Sequence, residues 1–286
     1  MPGLPTLFRS TLAALSLLFC AAGQDSRPAQ PSLARIVLVG ASVTQGFSAL
    51  DLLSAAISGP HEEPKRVGPS ALYLDPLTNG RKQLEQATQA GATALVALDF
   101  LFWFAYGPPP KGQTIDAARP EAWRVERVEK ALAELEAVDV PLFLGDVPDM
   151  RGASERLLDA TKIPSQETLR RVNELVHGWA AKRSNVRVLP LGKWNADMRA
   201  GKLGLPPAVD GNALPLGADV ILGADRLHPT RAGHIVLCSW LLTAMVDWLG
   251  PRSKAPLLEL PAARIRAALE KALPAKILPA SRPERR

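Results

Sequence analysis

The stretch Arg35-Ile-Val-Leu-Val-Gly-Ala-Ser-Val-Thr-Gln-Gly-Phe47 constrains the fold more than any other. Ile36 to Val39 form an unbroken apolar run without polar alternation, as in a central parallel strand covered on both faces. Gly40 then permits a sharp turn. The residues after it lie beyond the carboxyl end of the strand, where open α/β sheets hold their ligands, and Ser42 is among them. A helix following the turn would set unpaired N–H groups and its positive dipole end beside Ser42, where they can stabilise an oxyanion. Phosphate-binding turns and plain strand-to-helix connections share this pattern, so Ser42 alone decides nothing.

The far end of the chain supplies the missing chemistry in Gly223-Ala-Asp-Arg-Leu-His-Pro-Thr-Arg-Ala-Gly233. A carboxylate three residues before a histidine can accept from one ring nitrogen of that histidine. Asp225 would thus leave the other nitrogen of His228 to take a proton from a serine. Pro229 biases His228 toward an extended conformation and suits the first turn of a following helix. Together the two blocks resemble the GDSL, or SGNH, hydrolase family of lipases, esterases and carbohydrate deacetylases. Gly40-Ala41-Ser42-Val43-Thr44 with Gly46 matches its Gly-Asp-Ser block, and Asp225, His228 and Pro229 match its Asp-x-x-His-Pro block.

The resemblance covers residues 33 to about 250 and implies Ser42 as nucleophile, His228 as base and Asp225 as its partner. The middle blocks depart from the family, which draws oxyanion donors from a glycine and from an asparagine past the third strand. Ala97 and Asp99 stand at the places of the third block's glycine and asparagine. An ionised Asp99 cannot donate, so it must be protonated, turned away or replaced by another donor. For the second-block glycine, Gly80 is the first candidate, with Asn79 as a substitute amide and Gly68 as the weaker choice.

The 286 residues, 47% hydrophobic and 22% charged, suffice for one large domain. Strand patterns at 36–39, 71–74, 94–98, 141–144 and 186–191 alternate with helical patterns at 48–58, 81–90, 121–138, 166–182 and 230–249. That alternation predicts a doubly wound parallel sheet of about five strands, and the resemblance implies the same α/β class, a three-layer α/β/α sandwich. Residues 195–223, rich in Gly, Pro and Ala, read as a long loop. The aromatic run Phe100 to Tyr106 reads either as pocket lining or as a packed core helix. Asp146, beyond the fourth strand, reads as a substrate contact or as ordinary turn chemistry.

Residues 1–23 have the pattern of a signal peptide, with Arg9, an apolar run from Leu12 to Ala22 and small residues at its end. Residues 24–32 read as a linker, and the chain is expected to be secreted or periplasmic. Anchoring through Cys20 is the lesser alternative, because the bulky Phe19 fits a lipoprotein processing site badly. Cys238 falls in an apolar helical stretch and reads as core. No zinc-type spacing occurs, so neither metal nor cofactor is expected; His234 reads as an ordinary helix residue rather than a ligand beside Asp225 and His228.

Residues 251–286 hold nine Lys or Arg against three Glu and so carry the whole net charge of +6. They read as a basic extension with a short helix at 262–273, either a solvated extension, the commoner case, or a means of peripheral contact with an anionic envelope surface. No basic stripe with interleaved aromatics marks the main domain, which argues against nucleic acid as a partner. The expected activity is acyl transfer from a lipid, acyl or O-acetyl sugar ester to water. A degenerate member that binds envelope glycan or lipid and an acyltransferase are the alternatives.

Overall fold

The computed structural model describes residues 32–68, 71–109, 120–211, 215–253 and 257–273. The expected signal segment with Cys20, nearly all of the linker and the last part of the basic tail lie outside them. Five strands, β1 (Ile36–Leu38), β2 (Lys65–Arg66), β3 (Ala94–Ala97), β4 (Leu142–Gly145) and β5 (Val186–Leu189), form one parallel sheet ordered β2-β1-β3-β4-β5. Parallel neighbours need crossovers. Among the described residues these are α1 (Ser42–Gln45) and α2 (Leu50–Ala56), then α3 (Pro76–Gln89), then α4 (Phe102–Ala105) and α5 (Ala122–Glu134), then α6 (Gln166–Ala180). After β5 come α7 (Leu191–Arg199), α8 (Pro207–Asp210), α9 (Ala218–Ile221), α10 (Arg231–Leu249) and α11 (Ala262–Ala272).

Alternate strand residues feed two cores. Ile36, Leu38, Ala94 and Val96 pack with residues of α2, α7 and α10, whereas Val37, Leu95, Ala97 and Leu142 pack with residues of α3 to α6. The result is the expected three-layer α/β/α sandwich. The run Arg231–Arg252 is long and apolar enough to cross a bilayer, yet 72% of its apolar window is buried, as befits a core helix. Cys238 lies within it, fully buried.

The strand order reverses between β1 and β3, so the crevice beyond their carboxyl ends is the topological switch point. The chain leaves β1 into Ser42 and leaves β3 into Asp99.

Three expectations need correction. Residues 71–74 are turns, with Tyr73 and Leu74 exposed, and the second strand is the short, exposed Lys65–Arg66 edge. The expected loop at 195–223 holds the end of α7 and the short α8 and α9. The segment 257–273 does not stand apart as an extension. Ile265 and Leu269 of α11 are buried in the same core as α10, and Arg266 Nη1 donates to the Val209 carbonyl at 2.6 Å.

Candidate active site

Gly40 ends β1 with φ +155°, and a Cβ there would overlap the Asp99 carboxylate and the Thr44 hydroxyl. The buried Gln83 of α3 brackets the same residue. Its Oε1 accepts from the Gly40 N–H at 2.9 Å and its Nε2 donates to the Gly40 carbonyl at 2.9 Å. The turn then presents Ser42 exposed at the start of α1.

On the opposite side, Asp225 Oδ1 accepts from the N–H groups of Leu227 and His228, both at 2.9 Å, which folds the Asp-x-x-His segment on itself. The Arg226 between them has φ +53°, a left-handed conformation uncommon for a non-glycine residue. Arg199 of α7 holds it there by donating from Nη2 to the Arg226 carbonyl at 2.5 Å. The Asp225 carbonyl in turn accepts from the Ser154 N–H at 2.8 Å.

These supports bring three predicted residues together. His228 Nδ1 lies 2.8 Å from Asp225 Oδ2, and His228 Nε2 lies 2.9 Å from Ser42 Oγ. A carboxylate only accepts, so it fixes the proton on Nδ1 and leaves the Nε2 lone pair to receive the Ser42 hydroxyl proton. Partial burial pushes the Asp225 carboxyl up, but the His228 N–H, its imidazole and the Leu227 N–H outweigh it and hold the group below its ordinary range.

Asp99 is not where an oxyanion donor would stand. Although it borders the pocket, its Oδ1 accepts from the Ala41 N–H at 2.9 Å, the Thr44 N–H at 3.3 Å and the Thr44 hydroxyl at 2.5 Å. Its Oδ2 accepts from the Val43 N–H at 2.8 Å. Burial pushes this carboxyl up against the pull of those donors. The side chain is a brace beneath the serine turn. It also consumes the turn's free N–H groups, except that of Ser42, which has no acceptor among the described residues.

Gly80 and Asn79 do not reach the site either. Gly80 is buried inside α3, where a Cβ would meet Phe104 and Phe100, and the Asn79 amide donates to the Ala71 carbonyl at 2.9 Å. Gly68 packs against Gln83. Asp146 accepts from the Gly192 N–H at 2.6 Å and lies 3.3 Å from His177 Nε2, so it caps α7. His234 turns toward Ser48 and Phe47, with Nδ1 3.3 Å from Ser48 Oγ.

Beside Ser42 opens a pocket with ≈ 490 Å³ of empty space, part of it open to solvent. Phe102, Pro148, Met150, Leu191, Met198 and Leu227 give it apolar walls, and Asn195 adds an amide. Of the aromatic run, Phe102 lines this pocket, whereas Phe100, Phe104 and Tyr106 are core. Tyr106 shapes the opposite wall: its hydroxyl donates to the Pro148 carbonyl at 2.7 Å and accepts from the Met150 N–H at 3.0 Å. Sequence reasoning missed Gln83, Asn195 and Arg199. A glutamine and an asparagine at apolar-face positions of α3 and α7 were the only signal.

No family model matches this sequence, and no curated protein matches it. Solved structures that resemble the chain do so distantly. A protein named as an acylhydrolase from Bacteroides fragilis is 14% identical over 83% of this chain and 100% of its own, with a TM-score of 0.45. A GDSL-like lipase from Bacteroides thetaiotaomicron is 15% identical over 86% of this chain and 93% of its own, with a TM-score of 0.37. A gut microbial diltiazem-metabolizing enzyme is 14% identical over 76% of this chain, with a TM-score of 0.45, and the match spans 48% of that protein's length.

Proposed function

We propose that this chain is an exported serine ester hydrolase of the SGNH type. The observation that carries the reading is the continuous line Asp225–His228–Ser42, with links of 2.8 and 2.9 Å, at the switch point of the sheet. In this reading Ser42 Oγ attacks the ester carbonyl carbon while His228 Nε2 takes its proton. The Ser42 N–H donates to the oxyanion. Collapse expels the alcohol, which receives the proton from His228, and leaves an acyl group on Ser42. Water then attacks that acyl group with His228 as base, and release of the acid returns the proton to Ser42.

One observation favours a second reading, a chain that binds an ester-bearing glycan or lipid with little turnover. With three turn N–H groups committed to Asp99, the Ser42 N–H is the turn's one uncommitted donor among the described residues, and each oxyanion donor is worth about 10²–10³ in rate. Assays with short and long acyl esters and acetylated sugars separate the two. A hydrolase should lose nearly all turnover in Ser42→Ala and in His228→Ala, with little further loss in the double variant. Full activity in Ser42→Ala rules the mechanism out.

A further inference from the structure

Asn195 lies on α7 and is 8% exposed. Its Oδ1 accepts from Arg199 Nε at 3.0 Å. A guanidinium only donates, so the amide oxygen must face it and the NH₂ group must point the other way. Asn195 lines the pocket beside Ser42, yet among the described residues nothing accepts from its Nδ2. The other polar side chains on that wall are spoken for, since both Asp99 oxygens hold the serine turn and Ser42 pairs with His228.

The amide is also rigidly held. Arg199 is fixed by the carbonyls of Arg151, at 2.9 Å, and Arg226, at 2.5 Å, the latter inside the His228 segment. Asn195 is therefore set in one orientation relative to the same loop that carries the base. A fixed donor among apolar walls is left unsatisfied by a plain hydrocarbon, and such sites discriminate strongly for ligands that accept from the donor.

We propose that this pocket takes the acyl part of the ester, and that Asn195 selects a short acyl chain bearing a hydrogen-bond acceptor behind its carbonyl, such as a hydroxyacyl group. The proposal rests on the ester-hydrolase reading above. The acyl assignment follows from the order of events: the alcohol must leave, and water enter, while the acyl group stays on Ser42. The alcohol thus belongs on the open side, and the acyl chain in the recess that reaches the core residues Met198 and Leu237.

The test uses Ser42→Ala protein and calorimetric binding of p-nitrophenyl butyrate against its 2-, 3- and 4-hydroxy analogues. At least one hydroxy ester should bind about tenfold or more tightly than butyrate. Asn195→Leu should abolish that preference, and so should Asn195→Ala, since neither side chain can donate to or accept from the ligand hydroxyl. Equal or tighter binding of butyrate than of all three analogues, no binding of any of the four, or a preference that survives both substitutions overturns the proposal. Wild-type kcat/KM values on the same esters address the other reading separately. Selective binding without turnover would keep the Asn195 assignment and remove the hydrolase.

Discussion

Thr44 donates to one oxygen of Asp99 twice, through its backbone N–H at 3.3 Å and through its hydroxyl at 2.5 Å. A carboxylate at the end of β3 is thereby joined to the second residue after the serine at the end of β1. With the bonds from Ala41 and Val43, this explains why an acid stands at position 99: the serine turn is built around it.

Asp99→Asn should therefore lower activity, although the sequence pattern alone suggests that it restores an oxyanion donor. Oδ1 and Oδ2 each face backbone N–H donors, so the new NH₂ must oppose a donor whichever way the amide turns. A fall of at least about tenfold in kcat/KM and a loss of about 1–3 kcal/mol in urea unfolding are expected. A rise in turnover would return Asp99 to the oxyanion site.

Gly40→Ala tests the same turn from the other side. The backbone at φ +155° is strained for any L residue, and the methyl would collide with Asp99 and Thr44. Destabilisation of about 1–3 kcal/mol is expected from the strained backbone alone, with loss of turnover at temperatures where the variant remains folded. Unchanged thermal unfolding and unchanged kinetics would mean that the turn relaxes freely.

The two end blocks were legible because their chemistry is local: a strand, a glycine and a serine within thirteen residues, and an acid three positions before a histidine. The parallel sheet was legible in β1, β3 and β4, whose apolar runs are buried, and in β5, where buried Val186 and Leu189 flank the exposed Arg187 and half-buried Val188. β2 was not, because Lys65 and Arg66 pair at the sheet edge with both side chains exposed, whereas the apolar Tyr73 and Leu74 nearby lie in exposed turns. Asp99 and Gln83 were misread or missed because their roles come from partners 55–58 and 43 residues away. Asn195 has its partner Arg199 one helical turn away, but the pocket that it lines is assembled from residues distant in the chain. α7 was hidden because its cap, Asp146, is 46 residues from the Gly192 N–H that it accepts from.

The place of α11 in the core gives a stability prediction. Ile265 is fully buried in the cluster that also holds α10 and β1 residues. Ile265→Ala should cost about 2–5 kcal/mol, whereas the same change in a solvated tail would cost nothing measurable. Urea unfolding distinguishes these outcomes, and a variant as stable as the parent would detach the segment from the domain.

Asp225→Asn should keep the backbone support of one oxygen but lose the carboxylate that fixes the His228 proton on Nδ1. A drop on the order of 10⁴ in kcat is expected. Because the Asp225 carboxyl is held below its ordinary range in the folded chain, its contribution is present above the unfolded pKa and is lost as pH falls through the folded one. The variant should therefore show a shallower loss of stability below about pH 4 than the parent. Parallel acid-unfolding curves for the two proteins would contradict this.

His234 sets a separate pH limit at higher pH. It is 8% exposed, its Nε2 has no partner among the described residues, and Nδ1 faces Ser48. Burial, with a smaller contribution from His228, pushes its pKa down to about 4 from an ordinary 6.5. The folded chain thus holds the neutral ring, whereas the unfolded chain binds a proton near pH 6.5. The sign follows: the stabilisation is whole above the unfolded value and is lost as pH falls from about 6.5 toward 4, amounting to roughly 3 kcal/mol in full. His234→Phe removes the titration while keeping a ring beside Phe47. In urea unfolding at pH 7 and pH 4.5, wild type should lose roughly 2 kcal/mol more than the variant over that interval. Equal losses would mean that His234 is protonated in the folded chain at pH 4.5, and that the space around Nε2 admits the water needed to solvate that charge.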